Sequence, residues 1–266
     1  MASTDTAFAG SIPEFYDRCL GPFLFEPYAA DLAARAALLR PRRILETAGG
    51  TGIVTATLAA ALPEAEIVAT DLNPDMLQVA AGKLDSPRVT FAPADAQSLP
   101  FPDAGFDLVV CQFGAMFFPD RVAAYREARR VLRPGGAFLF NVWDRLDANP
   151  ASQAVAEAVA ALFPADPPSF LERVPFGYHD KAAIESDLRS AGFGAIEAET
   201  VAKRSRGSAR ELAPGLCQGS PLRSEIEARA PDRLEEATRA ALHALVRLHG
   251  DPVDAAMSAH VVTARG

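Results

Sequence analysis

The chain has 266 residues, enough for one large α/β domain with additions. Hydrophobic residues make up 49% and charged residues 23%, a globular balance that excludes disorder over most of the length. The net charge of −8 repels phosphate backbones and turns the reading away from nucleic acid, and the cationic stretch Lys203 to Arg210 reads as a solvated loop. Cys19, Cys111 and Cys217 are far apart and in no metal spacing, as expected of free thiols in a reducing compartment. No run approaches the roughly 18 apolar residues of a membrane helix. The first fifteen residues lack the basic start and apolar core of a signal peptide. A cytoplasmic location is expected.

Residues 1–12 are small and polar and read as a loose arm. Apolar spacing predicts a helix over 27–39, with Pro27 near its start. Strand-sized and helix-sized segments then alternate. Strands are predicted at 43–47, 66–71, 89–95 and 106–113, and helices at 51–62, 74–82 and 121–132. Asn73 and Pro74 suit the cap and first position of a helix. "RPGG" (133–136) stops the helix and turns the chain into a strand at 136–143. These strands are continuous apolar runs, as in a parallel sheet covered on both faces. Beyond Trp143 an alanine-rich helical piece and a proline- and aromatic-rich cap fill 145–179. A helix at 181–192, a strand at 195–205, a long amphipathic helix at 231–250 and a strand at 254–264 complete the chain. The fold class expected is a doubly wound α/β sheet. Residues 1–40 form a helical lid, and the domain at 41–266 bears cap insertions near 145–180 and 207–252.

In such a sheet the ligand lies beyond the carboxyl ends of the strands, where strand order reverses. The first strand runs into "ETAGGTG" (46–52), the second ends in Asp71, the third in Asp95-Ala96 and the fourth in Gln112-Phe113. A dinucleotide fingerprint fails in either register, because Thr51 and Thr55 stand where glycines are required. The pattern present is acid-x-small-x-Gly-x-Gly: Glu46, Ala48, Gly50 and Gly52. Glycines let the backbone approach a ligand, and the helix start favours an anion. Asp71 can accept both hydroxyls of a ribose. Asp95 can accept from an adenine amino group, with the Ala96 N–H beside it.

The stretch 43–143 resembles the class I S-adenosylmethionine-dependent methyltransferases, in the ubiquinone/menaquinone-biosynthesis branch. The residues that carry this are "ILETAGGTG", "ATDLNPDML", "PADAQSLPFPDAGFDLVV" and "REARRVLRPGGAFLFNVWD", four motifs in order. "FGAIEAETV" and "AHVVTARG" look like the family's closing antiparallel pair. The resemblance implies a seven-stranded, mainly parallel sheet with the last strand antiparallel, S-adenosylmethionine as cofactor and S-adenosylhomocysteine as product. It implies cofactor contacts from Glu46, Ala48, Gly50, Thr51, Gly52, Asp71, Asp95, Ala96 and Gln112. It sets Leu72 and Met76 near the adenine, and a tyrosine of the N-terminal segment, here Tyr16, on the methionine carboxylate. One departure is Ala48, where the family usually has its first glycine. Either the turn is slightly altered or the position has ordinary dihedrals.

Methyl transfer from a sulfonium needs alignment and exclusion of water more than a dedicated base. His243, His249 and His260 read as solvated or structural. His179, after the aromatic cap, is the one candidate base. Phe113, Met116, Phe117, Trp143 and Phe170 are equally pocket walls and core. The function expected is methyl transfer to a small apolar or aromatic molecule. The alternatives are a non-catalytic S-adenosylmethionine-binding module and, less favoured by the glycine spacing, an NAD-dependent dehydrogenase. No metal is expected, and a homodimer is left open.

Overall fold

The computed structural model describes residues 12–266, so all of the expected N-terminal arm but Ile12 lies outside the described residues. In chain order the α-helices are α1 (Ile12–Phe15), α2 (Glu26–Leu39), α3 (Ile53–Ala61), α4 (Pro74–Lys83), α5 (Arg121–Val131), α6 (Pro150–Ala160), α7 (Phe170–Arg173), α8 (Lys181–Ser190), α9 (Ala209–Gln218), α10 (Leu222–Arg229) and α11 (Leu234–His249). The strands are β1 (Arg43–Glu46), β2 (Glu66–Asp71), β3 (Val89–Pro93), β4 (Phe106–Gln112), β5 (Leu132–Trp143), β6 (Ala195–Gly207) and β7 (Val253–Arg265). They form one seven-stranded sheet in the order β3-β2-β1-β4-β5-β7-β6. Neighbours from β3 through β5 are parallel, and β7 runs antiparallel to β5. The expected fold class is the observed one. Strand order reverses between β1 and β4, so the carboxyl ends of these two strands flank the switch point.

The chain divides into two compact units. The first comprises 28–143, 178–201 and 259–266 and holds the sheet from β3 to β5. One face of that sheet is buried by α2 and α3: Ile44, Ile67, Leu108, Val110, Leu139 and Val261 pack with Ala29, Leu32, Val54 and Leu58. The other face carries an aromatic cluster, with Phe138 stacked on Phe140 at 4.7 Å and Tyr125 tilted 5.5 Å from both. The β4–β5 register slips at the predicted "RPGG" turn. Phe106 pairs with Leu132 and Leu108 with Ala137, so residues 133–136 are looped out opposite Asp107. The helix does stop at Val131, but the turn is a bulge inside β5, with Gly135 at φ 81°.

The second unit comprises the described residues up to Pro27, then 144–177 and 202–258. Sequence reading underestimated its helices. Between Gly207 and Pro231 it saw additions without assigned elements, where α9 and α10 form. It made one helix of 231–250, which is a 3-10 turn, Pro231–Arg233, followed by α11. A π-helical stretch, Tyr16–Phe25, contains Pro22, and α9 contains Pro214. Prolines argue against helices locally. Packing overrides them here: a Cβ on Gly215 of α9 would lie 2.7 Å from Leu20 and 2.9 Å from Cys19.

Candidate functional site

The glycine turn leaves β1 through three backbone bonds. Thr47 N–H donates to Val110 at 2.9 Å, Gly49 N–H to Thr70 at 2.8 Å, and Gly52 N–H to Gly49 at 3.0 Å. Ala48, Gly50 and Gly52 have φ of 52°, 56° and 79°. Ala48 therefore adopts the left-handed conformation that glycine would take there, which costs an alanine about 1–2 kcal/mol. The turn is kept and the side chain is strained. Its methyl is accommodated because residue 114 is glycine: a Cβ there would come within 2.4 Å of the Ala48 Cβ. A Cβ on Gly52 would meet the Ala80 Cβ at 2.8 Å, so that glycine lets α3 start against α4. Over Gly50 there is open space to 4 Å.

Two acids meet under this turn. Glu46, buried at the end of β1, accepts the Thr55 hydroxyl at 2.7 Å. Burial pushes its carboxyl up to about 8; the Thr55 bond opposes this and the charge of Asp71 adds to it. Asp71, at the end of β2, is half-buried and accepts Gly50 N–H at 2.9 Å on one oxygen and Asn73 N–H at 2.8 Å on the other. Burial raises its pKa, while the N–H groups of Asn73, Gly50 and Leu72 pull it down. Each oxygen keeps acceptor capacity. Asn73 caps α4 with a bond from Asp75 N–H, and Pro74 follows. Ala94 N–H donates to Asp71 O at 3.0 Å, which ties the next turn to this one, and there Asp95 accepts Gln97 N–H at 2.8 Å.

Leu72 is 62% exposed, unusual for a leucine, whereas Met76 is buried on α4. The Thr51 hydroxyl is buried with no partner among the described residues. At the end of β4, Gln112 is half-buried and pairs in register with Asn141 of β5. Phe113 has φ 50°, and its N–H donates to both the carbonyl (3.1 Å) and the side-chain Oδ1 (2.9 Å) of Asn141. Its ring stacks on Trp143 at 3.9 Å, and Tyr28 stands edge-on to both, with its hydroxyl on Val201 O. All three rings are buried. Met116 is buried and Phe117 half-buried in the 3-10 turn that follows.

Thus the structure brings Glu46, Ala48, Gly50, Thr51, Gly52 and Asp71 together. Tyr16 and Phe170 belong to the second unit. There Tyr16 stacks on Phe25 at 4.7 Å, and buried Phe170 donates its N–H to Glu225. His179 is half-buried, between Tyr178 and the Asp180 cap of α8. Sequence reading missed Thr55, Asn141 and the packing role of Tyr28. Asn141 could have been noticed as the one polar residue in "FLFNVW"; Thr55 had no distinguishing mark. Among the described residues no group of His, Cys, Asp and Glu side chains could hold a metal, and no helix is long and apolar enough to cross a membrane.

The sheet order and the glycine-and-acid turn define a Rossmann-like class, the class I methyltransferase fold. Residues 44–136 match the family model described as a methyltransferase domain. Among curated proteins, the demethylmenaquinone methyltransferase of Deinococcus radiodurans is 38% identical over 133 residues, 49% of this chain and 53% of that protein. The chain matches about half the length of such curated relatives. Among solved structures, the Bacillus protein YcgJ gives a TM-score of 0.58 at 22% identity, covering 90% of this chain and 99% of that one. The cyclase SpnF gives 0.57 at 22% identity, covering 91% and 81%. These two likenesses concern the fold alone, and the same fold serves more than one reaction.

Proposed function

We propose that this chain is an S-adenosylmethionine-dependent methyltransferase acting on a small apolar or aromatic acceptor. The observation that carries the reading is the pairing of Asp71 with the Gly50 N–H beneath an open turn. The residues present fit the cofactor. Asp71 has acceptor capacity for ribose hydroxyls, Leu72 offers an exposed apolar surface to a purine, and Thr51 has a buried hydroxyl to give. Met76, Asp95, Ala96 and Gln112 complete the cofactor set. The name of a relative from Pseudomonas aeruginosa, 38% identical, is ubiquinone/menaquinone biosynthesis C-methyltransferase. A quinol-like ring is therefore the first acceptor to test.

The bound cofactor would supply a methyl group on a sulfonium, already a good leaving group. The chain's task is orientation and dryness. The glycine turn and Asp71 fix one end, buried Glu46 holds Thr55 below the turn, and Phe113, Met116, Phe117 and Trp143 offer an apolar wall. His179 would take a proton where the acceptor must lose one. The enzyme works in the cytoplasm without nucleic acid or a metal. Calorimetric titration with S-adenosylmethionine, S-adenosylhomocysteine and NAD tests the cofactor. Micromolar binding of the sulfur compounds alone is expected, and binding of NAD alone would overturn the reading. Labelled methyl transfer to a panel of hydroquinones then tests the acceptor.

A further inference from the structure

Arg121 opens α5, the helix that follows β4, so it stands on the same edge of the sheet as the glycine turn. Its Nη2 donates to the carbonyl of Met116 at 3.3 Å. Its guanidinium lies 4.1 Å from the centre of the Tyr178 ring. That ring is itself fixed: the Tyr178 hydroxyl donates to Asp187 at 2.7 Å and meets the Tyr125 hydroxyl at 3.4 Å. Arg121 is half-buried, yet among the described residues no carboxylate pairs with it. Its neighbour Asp120 is turned to cap α5, accepting Ala123 N–H at 2.9 Å. Its Nε is buried without a partner.

This is an arginine held by stacking and by one carbonyl, with its charge uncompensated. Of the other half-buried arginines in the first unit, Arg35 pairs with Asp31 and Arg130 with Glu127, while Arg265 has no ion pair among the described residues. Removing a guanidinium from water without a counter-ion is costly. A planar fork immobilised in that state is preorganised for an oxyanion. We propose that Arg121 binds an ionised oxygen, carboxylate or phenolate, of the methyl acceptor. The inference rests on the methyl-transfer reading and narrows its acceptor to molecules bearing an acidic oxygen.

The test uses the full chain saturated with S-adenosylhomocysteine and three bicyclic probes on one ring: 2-naphthoate, 2-naphthol above and below its ionisation, and 2-naphthamide. Binding is followed by ligand-detected NMR and by the fluorescence of Trp143, the single tryptophan. An ionised probe is expected to bind at least about tenfold tighter than the amide. The preference disappears in Arg121→Met and returns in part in Arg121→Lys, with S-adenosylhomocysteine affinity unchanged in both. Preference for naphthoate identifies a carboxylate acceptor, and preference for ionised naphthol a phenolate. Equal binding of the amide, no binding of any probe, or a preference that survives in Arg121→Met overturns the role of Arg121. Failure of the wild-type chain to bind S-adenosylhomocysteine overturns the methyl-transfer reading and this inference with it.

Discussion

The strained Ala48 can be tested against Gly114, because the two occupy one space. A methyl on residue 114 would lie 2.4 Å from the Ala48 Cβ and 2.8 Å from the Cys111 sulfur. Gly114→Ala alone should destabilise the chain by about 1–3 kcal/mol through overpacking. Ala48→Gly alone relieves about 1–2 kcal/mol of left-handed strain. It also frees the unfolded chain, which gives back about 0.4–1 kcal/mol. Half-buried Ala48 further loses part of a methyl's burial, at most about 0.8 kcal/mol. The single change should therefore lie between about 0.8 kcal/mol destabilising and about 1.6 kcal/mol stabilising. In the double variant the Cβ clash is gone and only the sulfur contact remains. A favourable coupling of at least about 1 kcal/mol is expected, above the range for independent sites. The assay is urea unfolding of all four proteins, followed by Trp143 fluorescence, with coupling taken from the midpoints. Strict additivity would show that residues 48 and 114 do not meet and would refute the geometry of the turn.

Glu46 makes a prediction in pH. Its carboxyl is raised to about 8 from 4.5, so the folded chain keeps a proton that the unfolded chain loses. Stability from this group is present below the unfolded value and falls as pH rises from about 4.5 to 8, by up to a few kcal/mol. Urea midpoints of Glu46→Gln should lack that slope; an identical slope in both proteins would exclude a neutral Glu46. Asp71→Ala should weaken S-adenosylmethionine binding by about tenfold to a hundredfold and free the Gly50 and Asn73 N–H groups. Unchanged calorimetric affinity would displace the ribose from Asp71. Tyr178→Phe removes the hydroxyl that joins buried Tyr125 to Asp187 and should cost about 1–3 kcal/mol. A midpoint within error of wild type would mean that this chain of hydroxyls does not form.

The sheet of the first unit was legible because each of its elements is encoded locally. β2, over 66–71, coincides with its prediction, and β4 and α5 with theirs to within a residue, since continuous apolar runs and a 3.6-residue period need no distant partner. Asn73, Pro74, Gly50 and Gly52 were likewise readable, because capping and positive φ are demands of the chain at one point. Ala48 shows where that stops. Its sequence left two conformations open, and the left-handed one holds because Gly114, far along the chain, leaves room for the methyl.

The second unit was read poorly for a related reason. Pro22 and Pro214 signal breaks, yet both lie inside helices that packing around Cys19, Leu20 and Gly215 sustains. The sequence by itself determined the order of strands and helices, the glycine turn and the acids at the strand ends. Only the tertiary structure decided that Glu46 is buried against Thr55, that Asn141 holds the turn of Phe113, and that Arg121 stands on Tyr178 with no carboxylate partner among the described residues. Charge state and pairing depend on what lies across the fold, and no local pattern records the dielectric or the neighbour that a side chain will meet.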